Sequence, residues 1–286
     1  MLHSEFGVEG MTNRRAFEAL IAEEHRWPAD RTNPVYEHLG NWWINAPLVR
    51  ECFGGRLDDL ETLRRASQWL QYEGLRYAVE TTLRRGAGVI PWQLNEPFPN
   101  AWCTTAVDWH GDPKPAYWGV RRAYRGAPSA SFATWAWGSG DGGGEVEGSA
   151  RVTAPARLLD LDGTVVAQPE DDEIAASLAA FAADVFVLDV SGNRYVLTRT
   201  NDLAPLLDLP PAQLSIRRTP GNSLVLKNPA DVAALGLVLE GARPASESGR
   251  VTFSDNVLDL LPGETRELEV AGPVGELRIE GWNAAA

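Results

Sequence analysis

Two glutamates, an asparagine and a tryptophan fall at the ends of two segments that the sequence predicts to be strands. Glu5 ends the segment at residues 1–5, and Trp92, Asn95 and Glu96 lie within a second segment or directly after it. Carboxyl groups act as nucleophiles, acids or bases in sugar chemistry, and an indole ring covers the apolar face of a pyranose. If the fold brings the two strand ends together, these residue types indicate a carbohydrate site.

The elements that must position these residues alternate between strands and helices. An irregular stretch with three prolines follows the first strand. Aspartates at its start, apolar residues at helical spacing and a glycine past its end predict a helix at Leu57–Arg85. The apolar segment Val89–Leu94 predicts a buried strand, and Pro115–Tyr124 predicts a last helix. This order is that of a βα repeat with parallel strands, whose carboxyl ends share one rim, so Glu5 and Glu96 are expected at the same place.

Each of these residues also has a purely structural interpretation. Glu5 could be an ordinary acid at a strand end, and Trp92 could belong to the core, where tryptophan buries a large area. Asn95 and Glu96 could contact a substrate or could close the rim through structural hydrogen bonds.

A tryptophan pair and the histidines complete the candidates. Trp42 and Trp43 lie in a loop predicted above the same rim, where they either line the sugar pocket or pack the loop. The four histidines show no spacing typical of metal ligands, so we predict no metal site. The Gly-rich stretch Gly138–Gly148 lacks the residues of a phosphate-binding loop and is predicted to be a hairpin loop, so no cofactor is expected.

The chain changes character near residue 126. Residues 1–125 hold 16 acidic and 15 basic residues, residues 126–286 hold 23 and 11, and ten of the eleven tryptophans precede residue 138. Short strands separated by turn residues at spacings of about 8–12 residues predict β-sandwiches in the second region. A break at Leu206–Pro211 divides it into modules at 126–208 and 209–286, and Ala175–Ala183 is interpreted as a connection between strands. The predicted strands are Ser131–Trp137, Arg151–Asp160, Asp184–Val190, Tyr195–Arg199, Gln213–Arg217, Ser223–Lys227, Leu235–Leu239, Val251–Phe253, Glu267–Val270 and Glu276–Glu280.

Composition excludes several classes of partner. The net charge of −13 argues against nucleic acid, because phosphate backbones require a surplus of Lys and Arg. No apolar run reaches the roughly 18 residues of a membrane span. The start of the chain lacks the features of a signal peptide, and Cys52 and Cys103 form neither a disulfide framework nor a zinc site, so the compartment stays open.

Length sets a limit on the first region. A complete (β/α)8 barrel takes about 250 residues. Residues 1–125 have room for roughly two βα units. They are expected to form either a small α/β unit or the last part of a barrel.

Several motifs resemble the β-mannosidase-like members of glycoside hydrolase family two. His3–Gly7 (His-Ser-Glu-Phe-Gly) is similar to the Ser-Glu-Tyr/Phe-Gly motif around the nucleophile of that family, and Trp92–Glu96 (Trp-Gln-Leu-Asn-Glu) is similar to its Trp-Gln-Leu-Asn-Asp on the eighth barrel strand. Asp108–Tyr117 resembles the family's Asp-Tyr-x-Gly-x-Pro-Lys-x-x-Tyr before the last helix. Ser254–Asn256 and Leu260–Glu264 resemble its final immunoglobulin-like domain.

The resemblance implies the C-terminal portion of a retaining exo-β-glycosidase. The fold would be α/β plus all-β: the last two βα units of a (β/α)8 TIM barrel at 1–125, then immunoglobulin-like β-sandwiches at 126–208 and 209–286. Glu5, at the end of the seventh strand, would be the nucleophile, and Trp92 would form the floor of the −1 subsite. The substrate would be a β-linked oligosaccharide or glycoside, with terminal mannose first and glucosamine, galactose or glucuronic acid as rivals.

The acid/base residue is the point where this sequence departs from the family. The family places it in an Asn-Glu pair at the end of the fourth strand, and no such pair occurs before Glu5. The chain alone is therefore expected to be inactive, unless Glu96 replaces the missing carboxyl group.

Two alternatives remain from the sequence. The chain could be a non-catalytic carbohydrate-binding or complementing subunit that docks with a chain carrying the N-terminal rest of the barrel. It could also be a gene fragment without an independent role.

Overall fold

The computed structural model describes residues 2–39, 44–126, 130–132, 150–242, 250–272 and 276–284. The chain divides into two compact units. The first consists of Met1–Arg125, Glu240–Asn256 and Val270–Leu277, and the second consists of Gly126–Leu239, Val257–Glu269 and Arg278–Ala286.

Helices dominate the first unit. They are α1 (Arg14–Leu20), α2 (Ala46–Cys52), α3 (Leu60–Arg84) and α4 (Pro115–Arg125). Helix α3 begins after Asp59, whose side chain accepts a hydrogen bond from the backbone N–H of Thr62 at 2.8 Å and thereby caps the helix. It ends just before Gly86, whose φ of +69° favours glycine. Both predicted helices are confirmed, and α3 starts three residues later than expected.

Four strands of the first unit form two pairs. The strands are β1 (Leu2–Phe6), β2 (Gly10–Met11), β3 (Gly88–Pro91) and β4 (Trp102–Cys103). Strands β1 and β3 are parallel, and β2 and β4 are antiparallel. Helix α3 lies between β1 and β3 in the chain, so the predicted βα order with parallel strands is confirmed.

A small apolar core lies between this parallel pair and the two long helices. Val79 of α3, Val89 of β3 and Ala123 of α4 are buried together, and Phe6 packs against them. Ile90 follows Val89 directly and is 52% exposed, because successive side chains of a strand point to opposite faces. The prediction that Val89–Leu94 is a buried strand is therefore wrong in part: the strand ends at Pro91, and only Val89 is buried.

The stretch predicted as irregular contains helices α1 and α2. None of the prolines that suggested irregularity lies within residues 14–20, which form α1. Pro47 lies in the first turn of α2, where proline is tolerated. Short helices between prolines were therefore missed.

Arg122 of α4 binds a segment of the first unit that comes much later in the chain. Its guanidinium donates to the hydroxyl of Tyr72 at 2.6 Å, to Asp255 Oδ1 at 3.0 Å and to the carbonyl of Asn256 at 3.0 Å. Arg121 donates to the carbonyl of Ser254 at 2.8 Å. The Ser254–Asn256 motif therefore packs against helix α4.

Antiparallel strands dominate the chain from residue 130 onward. They are β5 (Ala130–Phe132), β6 (Ala150–Val152), β7 (Ala156–Leu159), β8 (Val165–Ala167), β9 (Val185–Val190), β10 (Asn193–Thr198), β11 (Ser215–Thr219), β12 (Ser223–Lys227), β13 (Ala234–Ala242), β14 (Thr252–Phe253), β15 (Leu258–Leu260), β16 (Thr265–Ala271) and β17 (Glu276–Glu280). Their sheets have the orders β10-β9-β7-β8, β11-β12-β16-β14 and β15-β13-β17, and β5 pairs with β6. These are sheets of the β-sandwich kind, as the strand spacing predicted.

Strand bounds agree with the sequence in some places and differ in others. The strands at Ser223–Lys227 and Glu276–Glu280 have their predicted bounds. The segment Ala175–Ala183 was interpreted as a connection, which is wrong: α5 (Ile174–Ala180) is a helix, as expected of an alanine-rich segment. The stretch Gly138–Gly148 lies outside the described residues.

Candidate active site

The ends of β1 and β3 lie side by side, where the sequence expects the candidate residues to meet. His3 pairs with Val89, and Phe6 pairs with Pro91. Beyond the strand, the backbone N–H of Trp92 donates to the carbonyl of Phe6 at 2.6 Å. The pairing therefore brings the segment that contains Glu5 next to Trp92.

Glu5 lies in an irregularity of strand β1. Between paired positions the chain advances three residues on β1, from His3 to Phe6, but only two on β3, from Val89 to Pro91. A bulge of this kind re-aims side chains and is over-represented beside active sites. Glu5 is exposed, whereas its neighbour Phe6 packs against the core.

Gly7 allows the chain to pass close to the end of β3. A Cβ atom at this position would lie 2.8 Å from the carbonyl oxygen of Trp92 and 2.9 Å from Cγ2 of Thr104. Both distances are shorter than a carbon atom tolerates, so only glycine fits without a shift. The glycine of the Ser-Glu-Phe-Gly motif is thus explained by the close approach of two backbones.

Trp92 and Asn95 are open to solvent at the rim. The Trp92 side chain is 46% exposed, and its peptide bond to Gln93 is cis. Asn95 is also exposed and forms an isolated parallel bridge with Val107. The segment 93–96 is therefore held against the segment that contains Val107, and the side chains of Trp92 and Asn95 are both accessible to solvent.

Glu96 is buried, in contrast to Glu5. It is 3% exposed, and its two carboxylate oxygens accept hydrogen bonds from the hydroxyl of Thr105 at 3.0 Å and from the backbone N–H of Trp109 at 3.2 Å. Burial raises the pKa of Glu96 to about 7, although the positive charge of Lys114 and these hydrogen bonds favour the ionised form.

Lys114 is a buried residue next to the site, and the sequence analysis assigned it no role. It is fully buried, and its ammonium group donates to the carbonyl of Gly10 at 3.1 Å and to that of Cys103 at 3.3 Å. Burial lowers the pKa of Lys114 to about 8, and the nearby carboxylates of Glu96 and Asp108 oppose that shift. The sequence shows that Lys114 lies between two prolines, but its burial depends on contacts with residues that are distant in the sequence.

The turn at residues 108–112 is closed by its own backbone and by Asp108. Oδ1 of Asp108 accepts the N–H of Asp112 at 2.9 Å, and its Oδ2 accepts from the amide of Asn13 at 2.9 Å. The backbone of Asp108 also bonds that of Asp112 and of Gly111. Burial raises the pKa of the Asp108 carboxyl.

The remaining candidates have no structural account. Trp42 and Trp43 lie outside the described residues. In the described ranges, no group of three or more His, Cys, Asp or Glu is placed to hold a metal ion. None of the helices described is both long and apolar enough to cross a bilayer.

Comparison with known proteins gives one match to a protein family. Residues 193–284 match the family of exo-β-D-glucosaminidase immunoglobulin-fold domains. The chain carries such a domain. Among curated proteins, none matches.

Solved glycosidases share the fold over almost the whole chain. The exo-chitosanase CsxA of Amycolatopsis orientalis is 16% identical with a TM-score of 0.66, and the match covers 98% of this chain and 41% of that one. The β-D-mannosidase of Dictyoglomus thermophilum is 14% identical with a TM-score of 0.64, and the match covers 98% of this chain and 37% of that one. The chain thus spans about two fifths of the length of these enzymes and shares its fold with a part of each.

Proposed function

We propose that this chain supplies the nucleophile and the sugar platform of a retaining exo-acting β-glycosidase of glycoside hydrolase family two. The observation that carries the proposal is the pairing of β1 with β3. This pairing supports the proposal because it brings the segment that contains the exposed Glu5 next to the segment that contains the half-exposed Trp92, and each residue stands in a motif that resembles the family's.

Glu5 acts in the first step of the proposed reaction. Its carboxylate attacks the anomeric carbon of the terminal sugar, a carbon–oxygen ester bond forms, and the glycosidic bond to the leaving oxygen breaks. Water then hydrolyses the ester with retention of configuration. Trp92 packs against the apolar face of the same sugar and holds the anomeric carbon near Glu5.

The acid/base carboxyl group comes from residues outside this sequence. Retaining enzymes need a second carboxyl group about 5–5.5 Å from the nucleophile. Glu96 is a poor candidate, because it is buried and both its oxygens already accept hydrogen bonds from Thr105 and Trp109. The complete enzyme consists of this chain together with the residues that carry the acid/base group.

The proposed substrates are terminal β-D-mannosides and β-D-glucosaminides. The motifs at Glu5 and Trp92 favour mannose, as their resemblance implies. The match of residues 193–284 to glucosaminidase domains and the fold shared with an exo-chitosanase favour glucosamine.

A second candidate function is that of a complementing subunit. In the described part of the chain, β1 pairs with β3 only, and the side chains of residues 2–5 are exposed. A parallel strand is ordinarily covered on both faces, so an open strand of this kind suits docking of a further barrel strand. In this reading the rest of the barrel belongs to a separate chain.

The test compares the isolated chain with the complete enzyme on p-nitrophenyl β-D-mannoside and β-D-glucosaminide. We expect turnover by the complete enzyme and none above background by residues 1–286 alone. Turnover by the isolated chain at the rate of the complete enzyme would show that the acid/base group lies within residues 1–286. Loss of that turnover in Glu96→Gln would then identify Glu96 as the acid/base group. Absence of turnover by the complete enzyme on any β-glycoside would overturn the proposed function.

A further inference from the structure

Trp109 is an exposed aromatic side chain to which the proposed reaction gives no role. It is 48% exposed, close to the 46% of Trp92. Single exposed apolar residues are normal on protein surfaces, so exposure alone carries little weight. What distinguishes Trp109 is the way in which its backbone is held.

Trp109 occupies a turn whose geometry is fixed on both sides. The turn is closed by two backbone hydrogen bonds, one from the N–H of Asp108 to the carbonyl of Asp112 and one from the N–H of Gly111 to the carbonyl of Asp108. The side chain of Asp108 accepts a third hydrogen bond, from the N–H of Asp112. Asp108 is also tied to Asn13, and the side chain of Asp112 forms an ion pair with Arg15 at 3.0 Å. A side chain on so constrained a backbone loses little entropy when it meets a ligand.

The turn is also fixed to the rim that carries Trp92. The backbone N–H of Trp109 donates to Glu96, and the N–H of Glu96 donates to the carbonyl of Val107 at 3.1 Å. The Cα atoms of Trp92 and Glu96 are at most about 14 Å apart, because four residues of extended chain span no more than that. Trp92 therefore precedes by a few residues the segment to which the backbone of Trp109 is bonded, and both tryptophans expose their side chains.

Glu96 links the turn to the segment that follows β3. Its buried carboxylate joins the segment after β3 to the turn, and Lys114 beneath it provides a positive charge in the same low-dielectric surroundings. Glu96 is thus a positioning residue for Trp109 rather than a group that touches the sugar.

We infer that Trp109 forms a second aromatic platform, which takes the sugar on the leaving-group side of the scissile bond. This inference rests on the proposed function, which assigns the terminal sugar to Trp92. A β-linked oligosaccharide presents successive pyranose rings with apolar faces, and two fixed indoles at one rim match two such rings. Trp109 therefore contributes to selection of oligosaccharides over simple glycosides.

The test uses two substrates that differ in the leaving group's ring. The complete enzyme is assayed on a β-1,4-linked disaccharide (of mannose or glucosamine, whichever it hydrolyses) and on the methyl β-glycoside of the same terminal sugar. Both leaving groups are alcohols, but only the disaccharide offers a second pyranose. We expect Trp109→Ala to lower kcat/KM about tenfold for the disaccharide and to leave the methyl glycoside unchanged within twofold.

Two variants serve as controls. Trp109→Phe keeps an aromatic face and should retain most of the disaccharide activity. Leu48→Ala removes an exposed apolar side chain of α2, 57% exposed, and should change neither substrate.

Two results would overturn the inference. An unchanged ratio of the two kcat/KM values in Trp109→Ala, whether both fall or neither falls, overturns the inference but leaves the proposed function intact. Failure of the unmodified enzyme to hydrolyse any β-glycoside overturns both.

Discussion

The backbone N–H of Trp92 donates a hydrogen bond of 2.6 Å to the carbonyl oxygen of Phe6. This bond joins the first residue after β3 to the last residue of β1. Since neighbouring strands lie about 4.8 Å apart, it puts the backbone on either side of Phe6 close to the backbone of Trp92. The proposed nucleophile and the proposed sugar platform are therefore positioned by one local feature of the sheet.

Replacing Glu5 should abolish catalysis without loss of folding. Glu5→Gln keeps the size of an exposed side chain but removes the attacking carboxylate, so kcat of the complete enzyme should fall at least about a thousandfold. Steady-state kinetics on a p-nitrophenyl β-glycoside measures the effect. Glu18→Gln, on the exposed side of α1, is the matched control and should be neutral. A fall of less than tenfold in Glu5→Gln would remove Glu5 from the role of nucleophile.

Trp92 should act mainly on the terminal sugar. Loss of its ring in Trp92→Ala removes an apolar contact worth about 1–2 kcal/mol, so kcat/KM should fall roughly 5- to 30-fold for mono- and disaccharide substrates alike. Trp92→Phe should recover part of that loss. Equal kcat/KM values for Trp92→Ala and the unmodified enzyme would show that the exposed indole does not contact the sugar.

Gly7 should be required for stability of the strand pair. In Gly7→Ala, the new Cβ atom would clash with the Trp92 carbonyl and with Thr104, and overpacking of this kind costs about 1–3 kcal/mol. Thermal unfolding of the chain should show the lower stability. Gly126→Ala is the control, because a Cβ atom there meets nothing within 4 Å. Equal melting temperatures for Gly7→Ala and Gly126→Ala would contradict the close approach.

The buried Glu96 should make stability depend on pH. Its folded pKa of about 7 exceeds the ordinary glutamate pKa of 4.5, so between these two values the folded state binds more protons than the unfolded state. The free energy of unfolding then falls as pH rises from 4.5 to 7, by at most about 3 kcal/mol from this group.

Glu96→Gln removes that contribution and provides the test. Urea denaturation at several pH values should show that the stability of the unmodified chain relative to Glu96→Gln declines over this window and levels off between pH 7 and 8, below the range in which Lys114 titrates. A difference that is independent of pH between 4.5 and 7 would contradict the raised pKa. Lys114 acts in the opposite sense: its pKa is lowered from 10.5 to about 8, so its contribution to stability should rise with pH between 8 and 10.5.

The sequence predicted the elements whose signals are local. Helix α3 followed from its periodicity and its cap at Asp59, and strand β12 followed from a short apolar run between turns. The parallel pairing of β1 with β3 followed from the order of strands and helices.

The features that the sequence did not predict depend on contacts between distant residues. Glu96 was expected at the rim, yet its carboxylate is buried by Thr105 and Trp109, which come nine and thirteen residues later. The burial of Lys114 depends on Gly10 and Cys103. No pattern of adjacent residues encodes such contacts. The alanine-rich segment of α5 was missed because the sequence predicts a strand on each side of it.

The central claim is that Glu5 forms the covalent intermediate, and covalent labelling tests it most directly. The complete enzyme is incubated with a 5-fluoro-β-glycosyl fluoride of its preferred sugar, whose fluorine on C5 leaves the C2 substituent in place, and is then digested and analysed by peptide mass spectrometry. The fluorine slows hydrolysis of the glycosyl-enzyme, and the activated leaving group departs without acid assistance, so the intermediate accumulates. The account predicts one sugar ester, on Glu5 in the peptide that contains His3–Gly7, and none in Glu5→Gln. A label on Glu96 or any other residue of an active enzyme would contradict it.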